Sequence, residues 1–277
     1  MFDSHVHAAP DVIDRIGFDD EICAEYEEAG FSGFVLKAHH ESTVGRAAAL
    51  SRRSTLDIVG GVALNHAVGG INPAAVASAL ASGGRVVWFP TGDSHTQQQA
   101  GLPRLRDLDD RLEVAALSLP PLISADGATA QNARHILDLI AEHDAVLCTG
   151  HISRPECLWL IDEARARGIS RILLTHPSYT VPGMSPSEIG ELADRGVYVE
   201  ITAFQLWHQP GMDVAQLAEV ARAAGPMLVL SSDAGQPNSP PPPQALKVLV
   251  EALDDAGCDT AALVEAAGSV PRNLMIA

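Results

Sequence analysis

The stretch FDSHVHAAP, residues 2–10, joins a short strand of the buried type to a turn that contains no glycine. Open parallel sheets that bind dinucleotides place a glycine-rich turn after their first strand, because the backbone there must approach a pyrophosphate. This turn offers His5 and His7 instead. The opening of the chain therefore favours a closed parallel barrel over an open doubly wound sheet.

The rest of the chain alternates short apolar runs with amphipathic helical stretches. Parallel strands that are buried on both faces read as nearly continuous apolar runs. Eight strand–helix units predict an α/β fold, a (β/α)8 TIM barrel that forms a single domain over residues 1–277. The predicted strands are Phe2–His7, Phe34–Ala38, Ile58–Asn65, Val86–Pro90, Ala145–Thr149, Arg171–Thr175, Gly196–Thr202 and Met227–Ser232.

The connection after strand four is much longer than the others and runs from about residue 91 to residue 130. Long connections at the C-terminal rim of a barrel often shape or cover the active site, so we expect this insertion to lie over that rim. The proline run at residues 240–243 predicts a rigid loop beside the same rim. A helix over Gln244–Ala256 is predicted to follow it.

Nine of the eleven histidines lie where the predicted strands end. Histidine is the commonest side-chain metal ligand and a general acid or base near neutral pH. Randomly scattered histidines would also populate helices and strand starts, so one rim of the barrel is predicted to carry chemistry. These residues are His5, His7, His39, His40, His66, His95, His151, His176 and His208.

A metal site is the chemistry that this pattern favours. Side chains alternate along a strand, so Asp3, His5 and His7 are expected to face the same way, and the two histidines to bind one ion together. A lone HxH motif is as readily explained by surface or core histidines. Strands five, six and eight add polar residues directly after apolar runs, which strengthens the prediction; they are His151, His176 and Asp233.

These residues resemble the pattern of the amidohydrolase superfamily of metal-dependent hydrolases. That pattern has HxH on strand one, histidines on strands five and six, and an aspartate on strand eight of a (β/α)8 barrel. The opening motif and the Thr175-His176-Pro177 turn look most like the amidohydrolase-2 branch and related uncharacterised branches. The resemblance spans essentially the whole chain, and it is specific for the superfamily but not for a substrate.

The resemblance implies an enzyme that activates water on a divalent metal, in the first place Zn²⁺. His5, His7 and His151 would be direct ligands, and Asp233 would bind the ion or carry the proton of the attacking water. His176 would complete a second metal site or polarise the substrate carbonyl. One ion is favoured and two remain open.

The implied reaction is hydrolysis of a C–N or C–O bond at a carbonyl group of a small polar or cyclic substrate. Two alternatives stay open. A metal-dependent non-oxidative decarboxylase or hydratase of the amidohydrolase-2 type would use the same metal and aspartate. A catalytically silent barrel would bind the metal without turning over a substrate.

Strand four departs from the pattern of the binuclear relatives, because it lacks the lysine or glutamate that bridges two metals there. A lysine stands at the tip of strand two instead. Lys37 could carry a bridging carbamate, bind a substrate anion as an ammonium, or be solvated, and we favour anion binding. His39, His95 and Arg15 are further candidates for contacting a small, possibly anionic substrate. Glu200 is read as a carboxylate that orients a ligand or faces the outer helices, and no role is assigned to it.

The formal net charge of −17 limits the classes of molecule that we expect the protein to bind. An acidic surface repels phosphate backbones and anionic lipid, which argues against nucleic acid and membranes as partners. The four cysteines form no CxxC pair, which is typical of reduced thiols. We therefore expect a cytoplasmic protein without a signal peptide that acts on a small molecule, and the sequence is compatible with a homo-oligomer.

Overall fold

A computed structural model describes residues 1–109, 111–112 and 114–276 of the chain. The strands are β1 Phe2–Val6, β2 Gly33–Leu36, β3 Asp57–Ala63, β4 Val86–Trp88, β5 Val146–Cys148, β6 Ile172–Leu174, β7 Tyr198–Thr202 and β8 Leu228–Ser231. The helices are α1 Asp19–Glu28, α2 Val44–Ser51, α3 Pro73–Ala81, α4 His95–Gln99, α5 Ala128–Glu142, α6 Arg154–Arg165, α7 Pro186–Ala193, α8 Phe204–His208, α9 Val214–Ala224, α10 Pro242–Asp255, α11 Thr260–Ala266 and α12 Ser269–Ile276.

The eight strands form one parallel sheet in chain order, β1 to β8. The sheet closes between β8 and β1. The amide of Asp233 donates to the carbonyl of His5, and the amide of His7 donates to the carbonyl of Ala234, each at 2.9 Å. The predicted (β/α)8 barrel is therefore confirmed.

Apolar side chains fill the barrel interior and separate its two ends. Phe2, Val146 and Val229 pack in the interior, and Leu274 and Met275 of α12 pack against the same cluster. Trp88 belongs to this cluster as well, and the ammonium nitrogen of Lys37 lies 5.8 Å from the centre of its ring. The interior is thus a packed core with polar groups above it, as is usual in this fold.

The helices α3 and α10 begin with prolines in their first turn. α3 begins with a capping residue and a proline: the Asn72 side chain accepts a hydrogen bond from the amide of Ala74, and Pro73 is the first helical residue. The proline run was predicted to be a loop, and this is wrong for Pro242 and Pro243, which form the first turn of α10. Proline suits that position because the first helical amides need no partner within the helix.

The insertion after β4 forms one wall of a cavity at the C-terminal rim. It contains α4 and a 3-10 turn over Leu105–Leu108, and Ser94 pairs with Leu117. Leu102, Pro103 and Leu108 line the cavity. Asp110 and Glu113 of the insertion lie outside the described residues.

Two further expectations concern the whole chain. The four cysteines are free thiols, as predicted. Among the described helices, none is both long and apolar enough to cross a bilayer.

Candidate active site

The cavity at the C-terminal ends of the strands has a volume of about 340 Å³. Its floor is polar and comes from strand tips all round the barrel, while much of its wall is apolar or aromatic. Such a cavity, apolar with a few convergent polar groups, is the usual form of a small-molecule site. The floor includes His7, Lys37, His39, His151, His176 and Asp233, and the wall includes Val12, Ile13, Leu102, Leu108, Tyr179 and Phe204.

Two histidines and one carboxylate converge on the floor. The Nε2 atom of His5 lies 3.0 Å from Asp233 Oδ1, and the Nε2 atom of His7 lies 3.2 Å from the same oxygen. Within the described part of the chain, these three residues form the group whose ligand atoms all lie within 4.8 Å of one another. Nitrogen and oxygen donors at this spacing suit a divalent ion such as Zn²⁺.

The backbone at the strand tips adopts conformations that packing alone would not select. His176 and Asp233 have φ angles of 27° and 49°, in the left-handed region that non-glycine residues rarely occupy. Gly150 precedes His151, and a Cβ atom there would lie 2.1 Å from the carbonyl oxygen of Phe89. Strain at His176 and Asp233, at the tips of β6 and β8, is typical of functional sites, and glycine avoids such strain at the tip of β5.

Glu200 orients the ring of His5 from below. The Nδ1 atom of His5 lies 3.2 Å from one carboxylate oxygen of Glu200 and 3.3 Å from the other. A carboxylate can only accept, so the proton of His5 lies on Nδ1 and its Nε2 lone pair faces Asp233. Most metal-binding histidines are held in this way by a carboxylate or carbonyl. Glu200 also accepts from Ser231 at 2.8 Å and from the amide of His176 at 3.2 Å.

The side-chain cations of Lys37 and Arg15 contact the two histidines of the His5, His7 and Asp233 group. The Nζ atom of Lys37 lies 2.9 Å from His5 Nε2 and is only 1% exposed, so the solvated alternative for Lys37 is wrong. A guanidinium nitrogen of Arg15 lies 3.3 Å from His7 Nδ1, while an ion pair at 2.6 Å holds Arg15 to Asp11. An ion bound at His5 and His7 therefore competes with these cations for the imidazole lone pairs.

His151 and His176 stand apart from this group and keep unpaired ring nitrogens. Their ring centroids lie 4.9 Å apart, and the closest approach of His176 to Asp233 is 3.9 Å, between Nε2 and Oδ2. The Nε2 atom of His151 and the Nδ1 atom of His176 are buried and have no hydrogen-bond partner. Buried polar atoms are normally satisfied, so two orphans at one site indicate a group that binds there.

The structure places the two remaining candidates for substrate binding, His39 and His95, in different surroundings. His39 lines the cavity, stacks on His7 with ring centroids 5.1 Å apart, and is bound through Nδ1 to Thr91 at 2.8 Å. His95 begins α4 and turns its ring towards Glu156, with 3.4 Å between Nδ1 and the carboxylate. The structure thus brings His39 into the site, whereas His95 is not among the described residues that line the cavity.

Burial sets the protonation of the site. It lowers the pKa of His5 to about 3 against the opposing charge of Asp233, and it also lowers that of His176 to about 3. It likewise raises the pKa of Glu200 and Asp233 and lowers that of Lys37. The imidazoles are therefore neutral near pH 7 and able to donate lone pairs. The pKa lies well below the usual range for His7, His39 and His151 as well.

A protein family matches most of this chain. Residues 1–200 fit the model of a family of unknown function, DUF6282. The chain belongs to DUF6282. No curated protein matches it.

Solved structures extend the comparison of this DUF6282 member to its fold. A lactonase from Listeria monocytogenes is 12% identical with a TM-score of 0.65, and the match covers 99% of this chain and 94% of the lactonase. An amidohydrolase from Pseudomonas aeruginosa is 15% identical with a TM-score of 0.56, and the match covers 99% of this chain and 96% of that one. A 5-methylcytosine deaminase from Klebsiella pneumoniae is 12% identical with a TM-score of 0.58, over 92% of this chain and 62% of the deaminase. At these identities the comparisons show the barrel fold.

The DUF6282 barrel corrects the expected orientation of Asp3. The phenol of Tyr26 on α1 donates to Asp3 at 2.6 Å, and the amides of Ser232 and His5 donate to it at 3.0 and 3.2 Å. Asp3 therefore lies between β1, β8 and the outer helix rather than in the cavity. The pairing of β1 with β2 is irregular between Asp3 and Val6, and such an irregularity resets the alternation of side chains.

One contributor to the site, Gln97, was missed, and another, Glu200, was named without a role. Glu200 carried a usable signal, because Val199 and Ile201 belong to the core under the outer helices and the residue between them must face the interior. Gln97 lines the cavity from α4, and its Oε1 atom lies 2.9 Å from His151 Nδ1. A glutamine in an insertion carries no sequence signal for this contact.

Proposed function

We propose that this barrel is a metal-dependent hydrolase of the amidohydrolase superfamily that cleaves a C–N or C–O bond at a carbonyl group of a small molecule. The observation that carries the proposal is the convergence of His5, His7 and Asp233 at 3.0–3.2 Å on the floor of the cavity. The unpaired nitrogens of His151 and His176 beside this group add support. The fold of the lactonase and amidohydrolase neighbours agrees with the proposal.

His5, His7 and Asp233 would hold one divalent ion, with Zn²⁺ as the ion that best suits two imidazoles and a carboxylate. When bound, such an ion lowers the pKa of a water ligand to about 7 and polarises a carbonyl oxygen. Glu200 keeps the Nε2 lone pair of His5 directed at this position through its contact with Nδ1.

The chain itself supplies proton transfer. Asp233 accepts the proton of the attacking water at Oδ2, the oxygen that lies further from His5 and His7, and returns it to the leaving group. The neutral rings of His176 and His151 flank that position and orient the water and the substrate carbonyl. General acid–base catalysis by one positioned group contributes about 10²–10⁴-fold to a rate.

Substrate is held by the rest of the cavity. Tyr179 and Phe204 on one side and Leu102 on the other enclose an apolar part of the molecule. Lys37 stays an ammonium and holds an anionic or developing negative charge, which makes a second ion unnecessary. Arg15 contributes less than its charge suggests, because Asp11 neutralises it at 2.6 Å.

The test is the metal content of the protein purified without a chelator, followed by hydrolysis assays on a panel of lactones, esters and amides. We expect one divalent ion per chain, loss of activity on chelation, and recovery on adding Zn²⁺ back. A metal-free protein whose properties do not change with a chelator would overturn the proposal.

A further inference from the structure

The side chain of Gln97 is fixed at both ends of its amide. It lies on α4 in the insertion after β4 and is 8% exposed. Its Nε2 atom donates to the backbone carbonyl of Pro103 at 2.9 Å, and its Oε1 atom lies 2.9 Å from His151 Nδ1. Because a carbonyl can only accept, the contact with Pro103 determines which end of the amide is nitrogen and which is oxygen.

This orientation determines the tautomer of His151. The amide oxygen of Gln97 can only accept, so the proton of the neutral imidazole must lie on Nδ1. The Nε2 atom then carries a lone pair, and this atom is buried without a partner. A neutral imidazole with an unpaired lone pair is the form that ligates a metal or accepts from a water.

The same helix also holds the backbone of His151. The hydroxyl of Thr96 donates to the carbonyl oxygen of His151, and the side chain of Ser94 caps the start of α4 by accepting from the amide of Gln97 at 3.2 Å. The ring and the main chain of one strand-tip residue are thus both tied to α4. No comparable tie to α4 is seen for His5 or His7 among the described contacts.

We propose that Gln97 is a positioning residue that holds His151 in the Nδ1–H tautomer with its Nε2 lone pair in the cavity. The insertion after β4, rather than the barrel, then determines which ring nitrogen of His151 carries the proton. The consequence for turnover rests on the proposed function, whereas the consequence for the tautomer does not.

The first measurement is the ¹⁵N NMR spectrum of the histidine side chains in the metal-free protein. Gln97→Leu removes the acceptor at a similar side-chain volume, and His151 should then populate the Nε2–H tautomer. Gln97→Glu keeps an acceptor oxygen and should retain the Nδ1–H tautomer. Gln98→Leu makes the same change on the exposed face of the same helix and should leave the spectrum of His151 unaltered.

The second measurement separates turnover from Zn²⁺ affinity, because the proposed function gives His151 a role in orienting water and substrate and not in holding the ion. Gln97→Leu should lower turnover of the best substrate of the panel by about 10²-fold and leave Zn²⁺ affinity, measured by competition with a chelator, unchanged. Gln97→Glu should retain most of the turnover, and Gln98→Leu should match the unaltered protein in both quantities. An unchanged His151 tautomer in a folded Gln97→Leu variant would overturn the proposal. If the unaltered protein binds no Zn²⁺ and Gln97→Leu still shifts the tautomer of His151, the proposed function is overturned and the role of Gln97 stands.

Discussion

The two halves of the site are built differently. On the side of β1, β7 and β8, the polar groups satisfy one another: His5 contacts Glu200 and Lys37, and His7 contacts Asp233 and Arg15. On the side of β5 and β6, His151 and His176 each keep a buried nitrogen without a partner. The first half is satisfied by its own contacts, whereas the second half is left unsatisfied, and one of its histidines, His151, is oriented by the insertion.

The difference indicates which half of the site lacks hydrogen-bond partners that a bound ligand would supply. A buried polar group that lacks a hydrogen bond costs about 1–3 kcal/mol of stability, so the orphans on β5 and β6 are poor choices for a purely structural barrel. The closed network on the other side holds its histidines in place before anything binds. We therefore expect changes in the first half to disrupt the metal site and the reaction, and the second half to respond to ligands.

The largest effect is expected at Asp233, where the first half meets the substrate. Asp233→Asn keeps the shape and removes the proton acceptor, so turnover should fall by at least about 10²-fold. Steady-state kinetics with the best substrate of the panel measures this. Asp107→Asn, an exposed carboxylate at the cavity mouth, serves as the control and should be nearly unaffected. Near-normal turnover of Asp233→Asn would remove Asp233 from the proposed mechanism.

Glu200→Gln tests whether the network of the first half holds the metal. The amide has a single acceptor oxygen and replaces the other oxygen by an NH2 donor, so it weakens the contact that fixes the proton of His5 on Nδ1. Zn²⁺ affinity should fall by about 10- to 100-fold, as measured by chelator competition. Glu219→Gln on the exposed face of α9 is the control. Equal affinity in both variants would show that Glu200 is only a core carboxylate.

Tyr26→Phe removes a hydrogen bond that supports the same half from outside the barrel. Burial raises the pKa of Asp3 to about 6, and the Tyr26 hydroxyl opposes this by stabilising the carboxylate. A raised pKa means that the folded state holds this proton more tightly, so the contribution of Asp3 to stability is lost as pH rises from about 4 to about 6.

Loss of the hydroxyl should lower the free energy of unfolding by about 1–3 kcal/mol at pH 7, with a smaller loss below pH 4, where Asp3 is protonated. Urea unfolding of Tyr26→Phe and the unaltered protein at the two pH values measures both numbers. A cost that is the same at pH 4 and pH 7 would show that the Asp3 carboxylate does not depend on Tyr26.

The smallest effect on metal content is expected at Lys37. In Lys37→Met, an ammonium that competes for His5 Nε2 is replaced by an apolar side chain of similar length, so Zn²⁺ binding should be at least as strong. The change should instead raise KM for anionic substrates. Metal analysis measures the bound Zn²⁺, and steady-state kinetics measures KM. Two ions per chain in the unaltered protein, and their loss in Lys37→Met, would show a bridging carbamate and contradict the single-ion site.

The sequence by itself determined the barrel and the position of its site. Apolar runs at regular spacing define parallel strands, and a closed barrel brings their C-terminal ends to one rim, so His5, His7, His151, His176 and Asp233 could be placed there before any contact was known. Lys37 and His39, which follow the second strand, were likewise named as substrate candidates, and both line the cavity.

Tertiary structure decided how these residues are paired. The irregularity in β1 turned the Asp3 side chain out of the cavity that the His5 and His7 rings face, and no residue pattern marks where a strand becomes irregular. The partners Gln97 and Asp11 reach His151 and Arg15 from connecting segments whose path is set by packing rather than by periodicity. Strand periodicity is local and readable in the sequence, whereas the proton on each imidazole depends on groups far apart in the chain that meet only in the folded barrel.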